Sequence, residues 1–576
     1  MDFEASLAQS LFLGNILEEN LYPFPKIKKE EAETLKLVLE SIDKFMSDEN
    51  ENYRKYDEKG AFPPEYIDAL KKLGLFGLII PEDFGGIGLS NLAYARVFAQ
   101  TGFYDPATSV TLGAHSSIGM KGLLLFGNDS QKKKYLPKLS TGEMVAAFCL
   151  TEPSSGSDAA SIQTKAVKQT DGSWILNGSK LWISNAGIAG FFTVFARTES
   201  AAGKMTAFIL ERHSDGISIG PKEDKMGIRA SITTTVDFVN VRVPAENQLG
   251  EEGQGFKIAM AILNNGRTGL GGGCVGGMRK CIALSTKQAI ERKQFGKSIS
   301  EFTLVKSKIA QMTIDCFASE SAMAMVAHYM DSGVKDYSVE AAMSKVFASE
   351  SMWDAANEAL QIAGGNGFMK EFPYERLVRD CRINLIFEGT NEILRLYIGL
   401  SGMKFAGSYL KDISNSAGKI FNDPIKGFGV LSTYATKKVS ILTNIGGQKF
   451  SFVCDELTKE MDLFRKMGLE FSNTVESVLK KYGKNIVGSQ LITKRVADIA
   501  IDLFVGLSVI SRVSSIRKEK EAKNCEDELN IARMFTHQAK RRIRNNIRRI
   551  ERNEDDLTVK LADSILEKGK YSWDIF

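Results

Sequence analysis

Apolar residues recur at three- and four-residue steps through residues 28–45 and 66–75, the spacing of one face of a helix. Turn signals at 81–86 and 127–129 punctuate this stretch. The pattern changes near residue 146. Segments 191–196, 205–211 and 233–243 are short, β-branched and aromatic, and Asp171-Gly172 and Asn177-Gly178 read as turns between strands. That is the pattern of a small antiparallel β domain. Helical periodicity returns over 254–402, with long segments at 275–293, 303–332 and 338–363, and a further, more charged and glycine-poor helical region follows. Residues 1–26 read as an extended leader ending in YPFPK. The expected architecture is mainly α with a central β domain. It comprises a leader (1–26), an N-terminal helical domain (27–146), a β-barrel-like middle domain (147–250), a helical bundle (251–402) and an extra C-terminal helical domain (403–576).

Composition narrows the class. A chain of 576 residues exceeds what one core can organise. Hydrophobic residues at 43% and charged residues at 25% are ordinary for a globular protein. A net charge of +4 argues against a protein built to neutralise nucleic acid. The seven cysteines are scattered, odd in number and never paired as C-x-x-C, which reads as reduced thiols. The four histidines are too far apart in sequence for a metal motif, and no metal is expected. No apolar run approaches the roughly 20 residues of a membrane span, since the stretch 499–510 is short and carries Asp502. The acidic start MDFEASLAQS resembles neither a secretory nor a transit signal. The expectation is a cytoplasmic, bacterial-type location, with a mitochondrial one as the alternative if a presequence has been removed.

Five stretches carry candidate chemistry, each with an ordinary alternative. FCLTEPSSGSD at 148–158 offers hydroxyls and bare N–H groups to a ligand rich in acceptors, or is a hydrophilic turn. LWISN at 181–185 sets Trp182 to stack on a flat ring with Ser184 as a donor, or buries a core Trp. ERKQFGK at 291–297 offers Arg292 to a phosphate and Phe295 to a ring, or forms surface ion pairs. QIAGGNGF at 361–368 lets a backbone approach a ligand at Gly364 and Gly365, or caps a helix. In DCRINLIFEGTNEILR at 380–395, Glu388 follows an apolar run. Desolvation there raises a carboxyl toward the range of a general base, whereas an isolated Glu is ordinarily a surface or capping residue. Gly271–Gly276 matches G-x-G-x-x-G, but a helical segment precedes it where a strand is required, so it reads as helix packing and not as a dinucleotide loop.

Taken together, in this order and spacing, these stretches resemble the acyl-CoA dehydrogenase family over about residues 30–402. The length and C-terminal extension, with TLGAHSSIGMKGLLLFG at 111–127, are similar to its very-long-chain branch. The resemblance implies FAD held by Phe148, Leu150, Thr151, Ser157, Trp182, Ser184, Arg292, Phe295, Gln361, Gly364, Gly365, Thr390 and Asn391, with the 361–365 group reaching the adenine side of a second subunit's cofactor, hence at least a homodimer. It implies Glu388 as the catalytic base. Some branches carry the base just before the substrate-contacting arginine; here that arginine is Arg267 and its predecessor is Gly266, which cannot serve. Acyl-CoA contacts are implied for Ser157, Asn264, Arg267 and Gly389. The implied reaction is α,β-dehydrogenation of a long or very long fatty acyl-CoA to the trans-2-enoyl-CoA in fatty acid β-oxidation. The base takes the α-proton, the β-hydrogen leaves as hydride, and a flavin ribityl hydroxyl and the Glu388 N–H stabilise charge on the thioester oxygen. An electron-transfer flavoprotein would receive the electrons.

Gly119 and Gly122, three apart on an expected helix, read either as openings in a deep acyl groove or as tight helix packing. The basic run 540–552 has isoleucines at 543, 547 and 550, which read as a buried stripe with arginines on the solvated side; no nucleic-acid partner is expected. That run and 436–453 are candidates for peripheral membrane contact. The alternatives within the superfamily are an acyl-CoA oxidase, a DNA-associated flavoprotein and a respiratory-complex assembly scaffold.

Overall fold

The computed structural model describes residues 6–418 and 450–575. The chain divides into two compact units, one of residues 24–393 and one joining 1–23 to 394–576.

The first unit runs helix, sheet, helix, as the hydrophobic pattern predicts. Helix Asn91–Tyr104 starts at an N-cap, Ser90, whose hydroxyl accepts from Ala93 N. Helix Pro106–Gly113 starts at Asp105, whose carboxylate accepts from Thr108 N at 2.8 Å, with proline at the first position where no N–H is needed. A six-residue π-helix follows, Ala114–Gly119. Such turns are rare and cluster at functional sites. The strands are β1 (Ala146–Cys149), β2 (Lys165–Lys168), β3 (Trp174–Ser184), β4 (Phe191–Thr198), β5 (Lys204–Glu211), β6 (Ile217–Ile219), β7 (Thr233–Val243) and β8 (Gln248–Leu249). They form one sheet in the order β6-β7-β3-β2-β4-β5-β8, with β1 also on β4.

Two local expectations are corrected in this sheet. It is mixed rather than antiparallel, because β1 and β2 both run parallel to β4. Asn177-Gly178 is not a turn but lies inside β3, where the register against β7 shifts between Leu176 and Gly178. Gly178 takes φ +153, and a Cβ there would lie 2.4 Å from Thr164 Oγ1. A glycine inside a strand can mark a bulge as readily as a turn.

Helices Gly255–Glu291, Thr303–Asp331 and Ser338–Ala363 complete the unit. The first joins the helical segment expected before the glycine series to the one expected at 275–293, running straight through the glycines. Those glycines allow helix contact: a Cβ on Gly272 would stand 2.4 Å from Ala95 O, and one on Gly276 2.2 Å from Ala99 O. The apolar stripe is diluted by glycine there, which hides the helix from a periodicity count, while the rejected dinucleotide fingerprint proves to be helix interior.

In the second unit, residues 7–11 are not an extended leader. They form helix Leu7–Leu11, closed by a Ser6/Gln9 capping box, with Leu7, Leu11 and Phe12 buried. Phe12 meets Phe471 edge-on at 5.0 Å. Five residues are too few to show a period. The unit also holds helices Thr458–Tyr482, Gln490–Glu519, Glu526–Glu551 and Asp555–Lys568. Gln490–Glu519 is long and apolar enough to cross a membrane by length and composition, so the expectation of no such run is revised. Its most apolar window is 83% buried, as in the core helix of a bundle. Ile543 and Ile550 are buried while Arg541, Arg544, Arg548 and Arg549 are exposed, as the stripe reading predicts. Residues 436–449 of the other candidate membrane segment lie outside the described residues.

Candidate active site

Glu388 sits on the turn between the 3-10 segment Arg382–Leu385 and helix Asn391–Gly418. It adopts φ +56 and Gly389 follows at φ +93. A left-handed non-glycine residue costs of order 1 kcal/mol or more, and such strain clusters at functional sites. Its Oε2 is buried with no hydrogen-bond partner among the described residues. Burial raises the carboxyl from its usual 4.5 to about 7, against the pull of Arg267 and Lys345 toward the charged form. The wall beside it is bare backbone: a Cβ on Gly266 would lie 3.0 and 3.2 Å from the two Glu388 oxygens and 2.8 Å from Ile118 of the π-helix.

Arg267 is buried on the same helix as Gly266. Its Nη1 donates to Asn264 Oδ1 at 2.6 Å, and its Nε and Nη2 reach Glu388 O at 3.4 Å. Asn264 therefore orients the arginine. Lys345, absent from the sequence expectations, is fully buried beneath the turn and donates to Gly389 O at 2.9 Å and Asn391 Oδ1 at 2.8 Å. Asn391 supports this turn from within the protein. Its side chain is 1% exposed, and its Nδ2 donates to Ser349 Oγ and Glu350 Oε1. Thr390 is half-buried, and its hydroxyl accepts from Ile393 N.

The remaining expected contacts fall in three places. Phe148, half-buried, and Leu150, buried, lie at the end of β1, followed by half-buried Thr151 and exposed Ser157. This loop is braced by an ion pair that sequence reasoning missed. Lys180 Nζ donates to Glu152 Oε1 at 2.7 Å and Leu150 O at 3.2 Å, and Glu152 also accepts from Gln163 N and Thr164 N. Glu152 lies within 148–158 and Lys180 immediately precedes 181–185, so an acid in the loop and a lysine in a later strand were the available signal. Trp182, next door on β3, is 63% exposed at φ +57, where the register shifts again before half-buried Ser184. Arg292 and Phe295 stand on a tight hairpin, Lys293–Gln294 against Lys297–Ser298, and Phe295 at its tip is 93% exposed at φ +53. Gln361, Gly364 and Gly365 are exposed, and a Cβ on either glycine would meet nothing within 4 Å.

Gly119 and Gly122 are closely packed at their α-carbons: a Cβ on Gly119 would lie 2.5 Å from Ala114 O and 2.8 Å from Ala146 Cβ, and one on Gly122 2.9 Å from Ile262.

A half-buried carboxyl poised near neutrality, walled by glycine, with cations behind it and exposed aromatic side chains on separate loops, defines an acid–base site built to take a flat ligand. Family models described as acyl-CoA dehydrogenase N-terminal, middle and C-terminal domains match residues 32–143, 147–241 and 253–402, and one for the ACAD9/ACADV C-terminal domain matches 455–571. The human very long-chain specific acyl-CoA dehydrogenase, mitochondrial, is 46% identical over 520 residues, covering 88% of this chain and 79% of the relative. A Bacillus subtilis acyl-CoA dehydrogenase is 39% identical over 65% of this chain and 97% of its own. The crystal structure of an acyl-CoA dehydrogenase complexed with FAD from Bacillus anthracis superposes with a TM-score of 0.81 at 30% identity, covering 99% of this chain and 96% of that one. The chain belongs to the acyl-CoA dehydrogenase family.

Proposed function

We propose that this chain is an FAD-dependent dehydrogenase of long or very long fatty acyl-CoA, with Glu388 as its base. The observation that carries this is the Glu388 carboxyl, buried on one oxygen, unpartnered and raised to about 7. A group with that affinity can accept a proton at neutral pH. The two most exposed candidate aromatics, Trp182 and Phe295, are held outward at positive φ, and the open approach at Gly364 and Gly365 leaves room for a ligand against bare backbone. These features fit a flavin dinucleotide. Phe148, Leu150, Thr151, Ser157, Trp182 and Ser184 would hold it from the sheet, with Thr390 from the Glu388 turn. Arg292 and Phe295, with Gln361, Gly364 and Gly365, would serve its other end across a homodimer. When bound, FAD supplies the two-electron acceptor for the substrate's β-hydrogen.

The protein's own residues do the rest. Glu388 abstracts the α-proton. Neither its N–H nor that of Gly389 donates a hydrogen bond among the described residues, so both are available to the thioester oxygen, where charge develops. One such donor contributes about 3–4 kcal/mol in comparable sites. Asn264 and Arg267 keep the turn oriented toward the CoA thioester. Electrons leave to an electron-transfer flavoprotein.

The basic face at Arg541, Arg544, Arg548 and Arg549 supports peripheral contact with an anionic membrane, at roughly 1 kcal/mol per basic residue. The naming of the human relative as mitochondrial supports the mitochondrial alternative over the cytoplasmic expectation. The test of the activity is dehydrogenation of acyl-CoAs of graded length with an artificial acceptor. A colourless protein inactive on every length with added FAD overturns it. Co-sedimentation with anionic vesicles at low salt, lost at high salt, tests the membrane contact, and protein left in the supernatant at low salt refutes it.

A further inference from the structure

Two consecutive carbonyls of the Glu388 turn face buried cations carried by different helices. Arg267, on Gly255–Glu291, approaches the carbonyl of Glu388 at the long distance of 3.4 Å. Lys345, on Ser338–Ala363, grips the carbonyl of Gly389 at 2.9 Å and, through Asn391, the start of the following helix. Ser349, one helical turn after Lys345, donates to the same Asn391 oxygen at 3.4 Å and accepts from its Nδ2 at 3.0 Å. Lys345 is wholly buried, yet its hydrogen-bond acceptors are neutral. Packing alone gives no reason for an ammonium here, because burying a charge without an anionic hydrogen-bond partner opposes folding.

We propose that Lys345 is a positioning residue for the dehydrogenation: it clamps the strained Glu388–Gly389 turn through the Gly389 carbonyl and sets the charge balance in which Glu388 works. This rests on the reading of Glu388 as the base. Among the described residues, the groups that act on Glu388 come from three helices: Arg267 and Cys274 from Gly255–Glu291, Lys345 from Ser338–Ala363 and the Tyr94 hydroxyl from Asn91–Tyr104. Of these, Arg267 and Lys345 are the cations, and they favour the carboxylate against its burial. Lys345 is itself lowered to about 8 by burial, with Glu388 opposing that shift, so it remains mostly protonated at pH 7.

The test compares Lys345→Met, which removes charge and donor, with Lys345→Gln, which keeps a neutral donor on a side chain one atom shorter. Two readouts separate positioning from mere support: the acidic limb of the kcat/KM pH profile, and infrared titration of the Glu388 carboxyl, identified by its absence in Glu388→Gln. In both variants the Glu388 titration is expected to move up by about one unit. A group moved from about 7 to about 8 is deprotonated roughly fivefold less at pH 7, so kcat falls at least that far while KM for acyl-CoA changes little. The loss is expected to be larger in Lys345→Met, where the clamp goes too. An unshifted carboxyl band and pH profile in a flavin-loaded variant overturns the proposal, and so does failure of both variants to fold, which assigns Lys345 to structure alone. Full activity in Glu388→Gln overturns the parent reading. An inactive Glu388→Gln beside unshifted Lys345 variants overturns this inference only.

Discussion

Glu388→Gln separates the chemistry of the carboxyl from its shape, and its consequences extend to stability. Burial lifts the group from 4.5 to about 7, a gap of about 2.5 units. At 1.36 kcal/mol per unit, ionisation costs the folded chain about 3 kcal/mol relative to the unfolded one. The sign follows from the raised value. The unfolded chain loses this proton first, so the stability that the neutral form provides is complete below about pH 4.5 and is lost as pH rises to about 7. From pH 5.5 to 8.5 that loss is about 2 kcal/mol. The amide cannot ionise, so wild type should lose about 2 kcal/mol against Glu388→Gln over that range, whatever constant offset the substitution adds. The assay is calorimetric melting of both flavin-loaded proteins, without substrate, at a series of pH values. Parallel stability curves for the two proteins would show that Glu388 titrates normally and that the desolvation argument is wrong. The same variant should keep flavin and acyl-CoA binding while turnover drops by about 10²–10⁴. Retention of a third of wild-type turnover places the base elsewhere.

Wild-type kcat/KM should rise with pH through about 7 as Glu388 ionises, and a flat profile between pH 5.5 and 8 contradicts that role. Gly266→Ala places a methyl about 3 Å from both Glu388 oxygens and closer to Ile118. It should cut kcat while flavin content holds, as read from absorbance and steady-state rates. Gly276→Ala drives a methyl to 2.2 Å from Ala99 O and should destabilise the protein by about 1–3 kcal/mol, measured by melting. Trp182→Ala and Phe295→Ala each remove an exposed ring without disturbing the core. Both should weaken flavin retention on gel filtration while leaving the unloaded protein's melting temperature nearly unchanged.

Much of this protein can be read from its sequence because the relevant signals are local. The order of helical and β regions follows from side-chain periodicity, and the Ile543–Ile550 stripe follows from helical spacing alone. The apolar run before Glu388 is a local signal for desolvation, and the family resemblance singles that residue out as the base. Short or glycine-diluted elements escape that logic. Helix Leu7–Leu11 has too few residues to show a period, and Gly255–Glu291 breaks its stripe with glycines whose purpose lies on another helix. Gly119 and Gly122 show the limit most plainly: absent side chains mean a groove or a close contact, and only the atoms opposite decide which. The same holds for Asn391 and Lys345. They meet in a buried hydrogen bond between residues 46 apart in the chain. The Lys180–Glu152 pair likewise joins strand to loop across 28 residues. Pairings at such separations leave no pattern along the chain, because burial and geometry, not spacing, select the partner.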